Sequence, residues 1–173
     1  MKNNILLIVI LLITGCTQIP TRDITIETIA DSKANFDGYK TYQWLVSAEF
    51  LNDPKGQWKR PDFDTDTEIQ FLVNRELRRK GMSESSSSPD MLVGFVAGVD
   101  MDALGLRLDP ETNMSTPENI PQGGLVIVLV DGGTGFVIWI GVASAEIQQG
   151  ADANLMKARL DYAVTQMLKK IPK

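Results

Sequence analysis

Hydrophobic and polar residues alternate in several short stretches of the chain, which is the pattern of β-strands with one buried face. Residues 23–28 alternate strictly, and residues 39–46 form a second stretch that is rich in aromatic side chains. Three further apolar stretches cover residues 91–99, 125–130 and 136–145. The last two are joined by a glycine-rich turn, which predicts a hairpin. The pattern therefore predicts five strands.

Two other stretches have the apolar spacing of amphipathic helices. The first follows Thr65-Asp66-Thr67-Glu68, which fits a capping box beginning at Thr65, and Gly81 is placed to end that helix. The second runs from about Asp152 to Ile171. The predicted order is β-β-α-β-β-β-α. We expect an α+β fold with a mostly antiparallel sheet of about five strands and both helices packed on one face.

The strands at 125–130 and 136–145 are apolar on both faces, so one sheet face does not account for them. We expect one set of side chains to contact the helices, namely Ile127, Leu129, Val137 and Trp139. The other set also needs cover, since burying each large side chain contributes about 1.5–3 kcal/mol. It comprises Val126, Val128, Phe136, Ile138 and Ile140.

The irregular segment 101–122, which contains three prolines, is the part of the chain that we expect to fold over this second face. The alternative is that the face stays open as a binding surface for a partner. The candidate residues of such a surface are Val126, Val128, Ile138 and Ile140.

The amino terminus has the features of a bacterial lipoprotein precursor. Lys2 precedes an apolar run from Ile5 to Ile13, which is far shorter than the roughly 20 residues that cross a bilayer. The run ends in Ile13-Thr14-Gly15-Cys16, which resembles the lipobox, a motif whose cysteine is alkylated with diacylglycerol before the signal peptide is removed. We therefore expect a lipoprotein signal peptide at 1–15, a lipidated tether at 16–22 and a single α+β domain at 23–173.

Cys16 is the only cysteine of the chain, so no disulfide explains its presence in an exported protein. Two or more acyl chains on its sulfur and amino group suffice for stable anchoring. The next residue is Thr17 instead of Asp, which in Gram-negative lipoproteins favours the outer membrane. We expect a lipid-anchored protein of the bacterial cell envelope, at the periplasmic face of the outer membrane.

Composition excludes several kinds of chemistry. The formal charge of −5 becomes −6 when Lys2 leaves with the signal peptide, so the chain has no electrostatic reason to bind nucleic acid. The sequence contains no histidine, which removes the commonest general base and zinc ligand. An acylated Cys16 is not a nucleophile. We predict no catalytic residues, no metal and no cofactor, and therefore a protein that is not an enzyme.

Two local patterns suggest specific binding and have simpler explanations. Carboxylates alternate from Asp62 to Glu68 like the start of a calcium loop, but the glycine and the closing glutamate of such a loop are missing. Acidic residues at the start of a helix are also expected from its dipole. Trp58 lies in a loop among Lys55, Lys59 and Arg60, which makes it the aromatic residue best suited to a surface contact, although packing is the simpler role.

Several fragments, taken in order, resemble a known family. They are Tyr39-Lys-Thr-Tyr42-Gln-Trp44, Leu77-Arg-Arg-Lys-Gly81, Pro89-Asp90, and the hairpin from Gly124 to Gly141 with Asp131, Thr134 and Trp139-Ile-Gly141. Over residues 23–172 this order is similar to the lipoproteins grouped as domain-of-unknown-function family 4136. The resemblance implies a compact α+β envelope lipoprotein and brings no catalytic residues. Family members often carry a basic residue where this chain has Ile140.

Three hypotheses about function follow. The first is a non-enzymatic assembly or interaction module, held at the membrane by lipid on Cys16 and binding other envelope proteins. The second is a carboxylate-dependent hydrolase of cell-wall glycans, which requires two acids about 5–9.5 Å apart across a cleft. The third is a module that binds an apolar ligand or lipid between the helices and the sheet, which requires a pocket of a few hundred cubic ångströms.

Overall fold

The computed structural model of the protein describes residues 19–108, 115–148 and 150–172. Within these ranges the chain forms eight strands and two α-helices. The strands are β1 (Thr25–Ala30), β2 (Thr41–Asn52), β3 (Ser83–Glu84), β4 (Met91–Asp100), β5 (Leu104–Leu108), β6 (Ser115–Asn119), β7 (Gln122–Asp131) and β8 (Val137–Glu146). The helices are α1 (Thr65–Arg79) and α2 (Ala153–Lys169), and a short 3-10 turn covers Phe36–Gly38.

Six strands form one sheet in the order β1-β8-β7-β4-β2-β3. β1 pairs antiparallel with β8, β8 with β7, and β7 with β4, whereas β2 is parallel to both β4 and β3. The α+β class is confirmed, but a mostly antiparallel sheet of about five strands is wrong, because the sheet is mixed and has six. The parallel pair arises because α1 connects β2 to β4 as a crossover. β3, with two residues, is too short to show alternation in the sequence.

Both predicted helices are present, with one difference at the start of α1. Asp64 is the N-cap, and its carboxylate accepts the Thr67 N–H at 3.1 Å, so the helix is capped one residue earlier than the predicted capping box. Gly81 follows the end of α1 with a φ of +84°, a conformation that favours glycine. Asp152 caps α2 in the same way as Asp64 caps α1, by accepting the Leu155 N–H at 2.8 Å.

The two helices run parallel to each other on one face of the sheet. Glu68 of α1 forms an ion pair with Lys157 near the start of α2 at 2.7 Å, and Arg75 contacts Asp161 one to two turns further along at 2.5 Å. Both helices therefore begin at the same end of the sheet. The hydrophobic core between helices and sheet is built from residues within 24–171, so a chain cut before Cys16 retains all of it.

The start of β8 departs from the predicted alternation. The register shifts in this hairpin, because Leu129 pairs with Trp139 whereas Val130 pairs with Val137. Ile138 is thereby left without a partner opposite and is buried, with 4% of its surface exposed, while Val137 is 48% exposed. The prediction that Val137 contacts the helices and that Ile138 belongs to the second face is therefore wrong. A single extra residue in one strand reverses the sides on which its neighbours lie.

Trp139 explains a glycine that the resemblance singled out. The indole ring lies over Gly141, and a Cβ at position 141 would stand 2.3 Å from the ring carbon Cη2. No side chain larger than hydrogen fits there without displacing the largest buried residue of the core. The Trp139-Ile-Gly141 fragment is therefore a packing unit.

The segment 101–122 is not irregular throughout, because β5 and β6 form a separate two-stranded antiparallel sheet. Leu104 and Leu106 of β5 are largely exposed. In the part of the chain that the structure describes, this segment does not close over the second face of the main sheet, where Val96 and Val142 remain 43% and 39% exposed. The expected cover is therefore wrong for these residues. β5 and β6 make their backbone hydrogen bonds with each other and therefore need no sheet beneath them.

Candidate functional site

The first candidate site is the outer face of the main sheet, on the side opposite the helices. The register aligns Ile29, Ile140 and Val128 in one row across the strands. A second row joins Val142, Val126 and Val96. Ile29 is 73% exposed, and the residues in the middle of the sheet are shielded only by their neighbours. Three of the four predicted surface residues, Val126, Val128 and Ile140, thus lie together, and Ile138 does not.

The border of this outer face is acidic. Outward-facing positions at its margins hold the carboxylates of Glu27 and Asp100. No outward-facing position of the six strands, among the residues described, holds lysine or arginine. The outer face is therefore an apolar surface whose described strand positions carry carboxylates and no lysine or arginine. Large exposed apolar surfaces rimmed by polar groups are typical of protein-binding sites.

The second candidate site is a cavity at the end of the domain where both helices begin. It has a volume of about 420 Å³ and lies between the helices and the inner face of the sheet. Along the strands, the inward-facing side chains become smaller toward this end. Phe95 is followed by Ala97 in β4, Leu125 is preceded by Gly123 in β7, and Trp139 gives way to Ala143 and Ala145 in β8. The floor of the cavity recedes because these small side chains do not reach the helices.

Apolar side chains from every surrounding element form most of the cavity wall, which also includes the polar residues Thr65, Ser144 and Gln148. The apolar side chains include Ile69 of α1, Leu160 and Ala163 of α2, Ile24 before β1, and Trp58, Pro61 and Phe63 of the loop before α1. Trp58 therefore lies at the mouth of this cavity and not on the outer face. Its backbone N–H donates to the Asp53 carboxylate at 2.7 Å, and with the Gln57 N–H this lowers the pKa of Asp53.

The only cation in the cavity wall that is buried is Arg159, which is 8% exposed. Its guanidinium donates to the carboxylate of Asp23 and to the backbone carbonyls of Pro20 and Glu146. This ion pair lowers the pKa of Asp23. Arg159 thus fixes the segment before β1 against α2 through its Nη1 and Nη2 groups.

The mouth of the cavity carries a more solvated ion pair. Arg60 and Glu49 are 2.9 Å apart, and both side chains are largely exposed. Lys157 lies 4.9 Å from the centre of the Phe63 ring and covers it from the helix side. The cavity therefore combines an apolar interior with a charged rim. The third hypothesis required a pocket of this size between the helices and the sheet, and the cavity meets that requirement. Its position at the amino ends of the helices was not predicted, although the decrease in side-chain size along β4, β7 and β8 is visible in the sequence.

A polar cleft at the opposite end of the sheet holds several of the residues on which the family resemblance rests, namely Tyr39, Pro89, Asp90 and Asp131. The Tyr39 hydroxyl donates to Asp131 at 2.7 Å, and Asp131 also accepts the N–H groups of Gly133 and Thr134. The hydrogen bonds lower the pKa of Asp131 to about 2, and burial beside this carboxylate raises the pKa of Tyr39 to about 12. Asp90 accepts two backbone N–H groups and the Thr41 hydroxyl, which lowers its pKa as well.

These carboxylates connect strand ends, and their protonation does not suit hydrolysis. A glycan hydrolase of the two-carboxylate type needs one acid with a raised pKa that donates a proton. The pKa values of Asp90 and Asp131, the two acids of this polar cleft, are both lowered. The arrangement therefore gives no support to the hydrolase hypothesis.

The carboxylates before α1 also have structural partners. Asp64 caps the helix, Asp66 accepts the Ser47 hydroxyl at 2.9 Å, and Glu68 pairs with Lys157. Within the described residues no group of three or more acidic or other ligating side chains converges as a metal site would. The alternating acids that resembled a calcium loop are accounted for by the helix start.

Ile13, Thr14, Gly15 and Cys16 lie outside the described residues, so the lipobox and lipid site stay predictions. Neither of the described helices is long and apolar enough to span a bilayer.

The comparison with known proteins concerns the domain from β1 onward. The model of the family called Domain of unknown function (DUF4136) matches residues 26–173. The chain belongs to this family. The resemblance seen in the sequence is therefore confirmed. No curated protein is similar enough in sequence to count as a relative.

Solved structures share the fold at low identity. A DUF4136 family protein from Bacteroides thetaiotaomicron has a TM-score of 0.55 at 13% identity, covering 86% of this chain and 95% of its own. A PDZ domain protein from Parabacteroides distasonis has a TM-score of 0.52 at 15% identity and covers 87% of this chain, which spans only 37% of that protein. A PelC dodecamer from Paraburkholderia phytofirmans has a TM-score of 0.50 at 11% identity, covering 84% of this chain and 94% of its own. These likenesses establish the fold.

Proposed function

We propose that this protein is a lipoprotein of the bacterial envelope, anchored through lipid on Cys16 at the periplasmic face of the outer membrane, and that it acts without catalysis as an interaction module. The observation that carries the proposal is the outer face of the sheet, which remains open and apolar. A domain that needs only its own stability gains from covering such a face. An apolar face that stays exposed is instead typical of a binding site for another molecule.

The partner is a protein with an apolar patch bordered by lysine or arginine. The acidic margin at Glu27 and Asp100 favours positive charge opposite it and repels a like margin. Two copies of this chain meeting face to face would bring like charges together, and anionic lipid headgroups would be repelled in the same way. Charge complementarity therefore favours a different, basic partner.

The contacts of the tether limit the distance between the domain and the proposed lipid anchor. Arg159 holds the Pro20 carbonyl and the Asp23 carboxylate, so the chain becomes part of the domain within a few residues of Cys16. Four residues of extended chain span at most about 14 Å. A lipid on Cys16 would therefore keep the domain close to the bilayer, with its position set by the Arg159 contacts.

The anchor is tested by mass spectrometry of the protein from its native host. The expected result is a mature chain that begins at Cys16 and carries the mass of diacylglycerol and a further acyl chain. Replacement Cys16→Ser should release the protein from membrane fractions. An unmodified sulfur at position 16, or a serine variant that still fractionates with membranes, contradicts the anchor.

The outer face is tested with a photo-crosslinking residue at position 142 in the native envelope. We expect a defined crosslinked protein whose contacted surface is apolar and flanked by basic residues. The substitution Val96→Lys, in the same row and separated from position 142 by Val126, should abolish the product. Phe71→Lys adds the same charge at an exposed apolar residue of α1 and should leave the product unchanged. Equal effects of the two substitutions, or an acidic contacted surface, would refute this role.

A further inference from the structure

We propose that the cavity at the amino ends of the two helices binds a single acyl chain of a lipid. The cavity of about 420 Å³ has a floor of small side chains at Ala97, Gly123 and Ala143, and its mouth opens beside Trp58 and Arg60. This site is separate from the outer face of the sheet and lies on the other side of it. Its volume is in the range of cavities that hold small ligands.

The interior selects against ligands that carry polar groups along their length. The Nη1 and Nη2 groups of Arg159 already donate to Asp23, Pro20 and Glu146. Among the described residues, the buried side-chain atoms without a hydrogen-bond partner belong to Asp66 and Trp139, and neither residue lines the cavity. A polar group that entered would lose its water contacts without replacement, at a cost of about 1–3 kcal/mol. A hydrocarbon chain has no such loss.

The mouth suits the polar end of an amphipathic molecule. Arg60 lies at the rim with Glu49 and is largely exposed, and Lys59 is next to it in the chain. A carboxylate or phosphate attached to the buried chain would remain in water beside these cations. Trp58, at the same rim, is a residue type that accepts an apolar neighbour on its ring and water on its edge. The ligand class is therefore an acyl chain with one polar head.

The position of the tether indicates where the bound acyl chain comes from, and this inference rests on the proposed anchor. Ile24 lines the cavity, and Arg159 in its wall holds the segment that leads to Cys16. The cavity is therefore at the end of the domain nearest to the lipid anchor. The acyl chain belongs either to a lipid of the bilayer or to the lipid on Cys16 of the same molecule.

The binding test uses the processed chain, residues 16–173, with Cys16→Ser, because the complete core is retained in it. Palmitate and lysophosphatidylcholine are titrated calorimetrically without detergent. We expect saturable binding of one molecule with a negative heat-capacity change, as apolar burial requires. Ala97→Leu fills the floor and should weaken binding by about tenfold or more. Ala48→Leu, on the outer face beside Val96, is the matched control and should bind like the parent.

A thermal melt of both variants accompanies the titration, since Ala97→Leu must remain folded for its loss to count. If its melting temperature falls well below that of the parent, Ala163→Leu in the opposite wall replaces it. Absence of binding by the parent, or equal binding by the Ala97→Leu and Ala48→Leu variants, overturns the proposal.

The natively lipidated protein distinguishes the two sources. If the acyl chain on Cys16 fills the cavity, added palmitate binds only to the Cys16→Ser form. If the natural ligand is instead a lipid of the bilayer, both forms bind added palmitate. Either result places an acyl chain in the cavity. Failure of palmitate to bind leaves the anchor untouched, and an unmodified Cys16 in the host would refute the anchor without changing the titration.

Discussion

The two ends of the interface between helices and sheet are built differently. At the carboxyl ends of the helices, Leu77, Met167 and Leu168 meet Trp139 and Met91 of the sheet, and all five side chains are fully buried. At the amino ends, alanine and glycine face the helices and the cavity remains. The same two helices and the same strands form both ends. The difference lies in side-chain size, which separates a part of the core that provides stability from a part that is available for a ligand.

The largest expected effect comes from comparing the same leucine-to-alanine substitution at two positions of α2, one in the filled part of the core and one in the cavity wall. Leu168→Ala removes a fully buried side chain from the filled end and should lower the free energy of unfolding by about 3–4 kcal/mol. Leu160→Ala removes a partly buried side chain from the cavity wall and should cost about 1–2 kcal/mol. Urea denaturation of the two variants measures both values. Equal losses would mean that the two ends are packed alike.

The ion pair at the cavity end should produce the next largest effect. Asp23→Ala leaves the guanidinium of Arg159 buried without its carboxylate, which should cost about 3 kcal/mol or slightly less, since Asp23 is partly exposed. Glu27→Ala removes a carboxylate four residues further along, in the edge strand β1, without an ion pair to a buried arginine and is the control. The comparison is made by urea denaturation at neutral pH. A loss for Asp23→Ala no greater than that for Glu27→Ala would show that the ion pair is not needed.

A smaller effect should appear at low pH at the other end of the sheet. The pKa of Asp131 is lowered to about 2 from an ordinary value of 3.8. Its contribution to stability is therefore complete above about pH 4 and is lost as the pH falls toward 2. Tyr39→Phe removes the hydrogen bond that lowers this pKa most, so the variant should lose less stability over that interval than the parent. Urea midpoints measured from pH 5 to pH 2 test this, and parallel curves would contradict it.

The smallest effect is expected at the rim of the cavity. Glu49→Gln breaks the exposed pair with Arg60 and should change stability by no more than about 0.5 kcal/mol. Because Arg60 is then free to meet an anionic head group, palmitate affinity should rise, whereas lysophosphatidylcholine affinity should change less. A stability loss as large as that of Asp23→Ala would mean that the rim pair holds the domain together.

The sequence predicted what local patterns determine. Helical spacing placed both helices, alternation placed β1, and apolar stretches placed β4 and β7. The parallel pairing of β2 with β4 was missed because it depends on the path of α1 across the sheet. The burial of Ile138 was missed because a one-residue register shift leaves no trace in the alternation.

The candidate sites were predictable to different degrees. The outer face was anticipated through Val126, Val128 and Ile140, since a strand that is apolar on both sides must bury or present its second face. A pocket between helices and sheet was a requirement of the third hypothesis, but its position was not predicted, because it depends on which small residues from three strands come together in space. Ala97, Gly123 and Ala143 are far apart in the sequence and become one floor only in the sheet.

The pairing of β1 with β8 has a consequence for how the protein is made. Thr25 lies opposite Ser144, so the first strand has no partner until nearly all of the chain has been synthesised. Closing so long a loop is entropically costly and slow compared with the local contacts of hairpins and helices. The first strand therefore joins the sheet late, after the local contacts of hairpins and helices have formed. On the proposed anchor, processing at Cys16 would precede completion of the sheet.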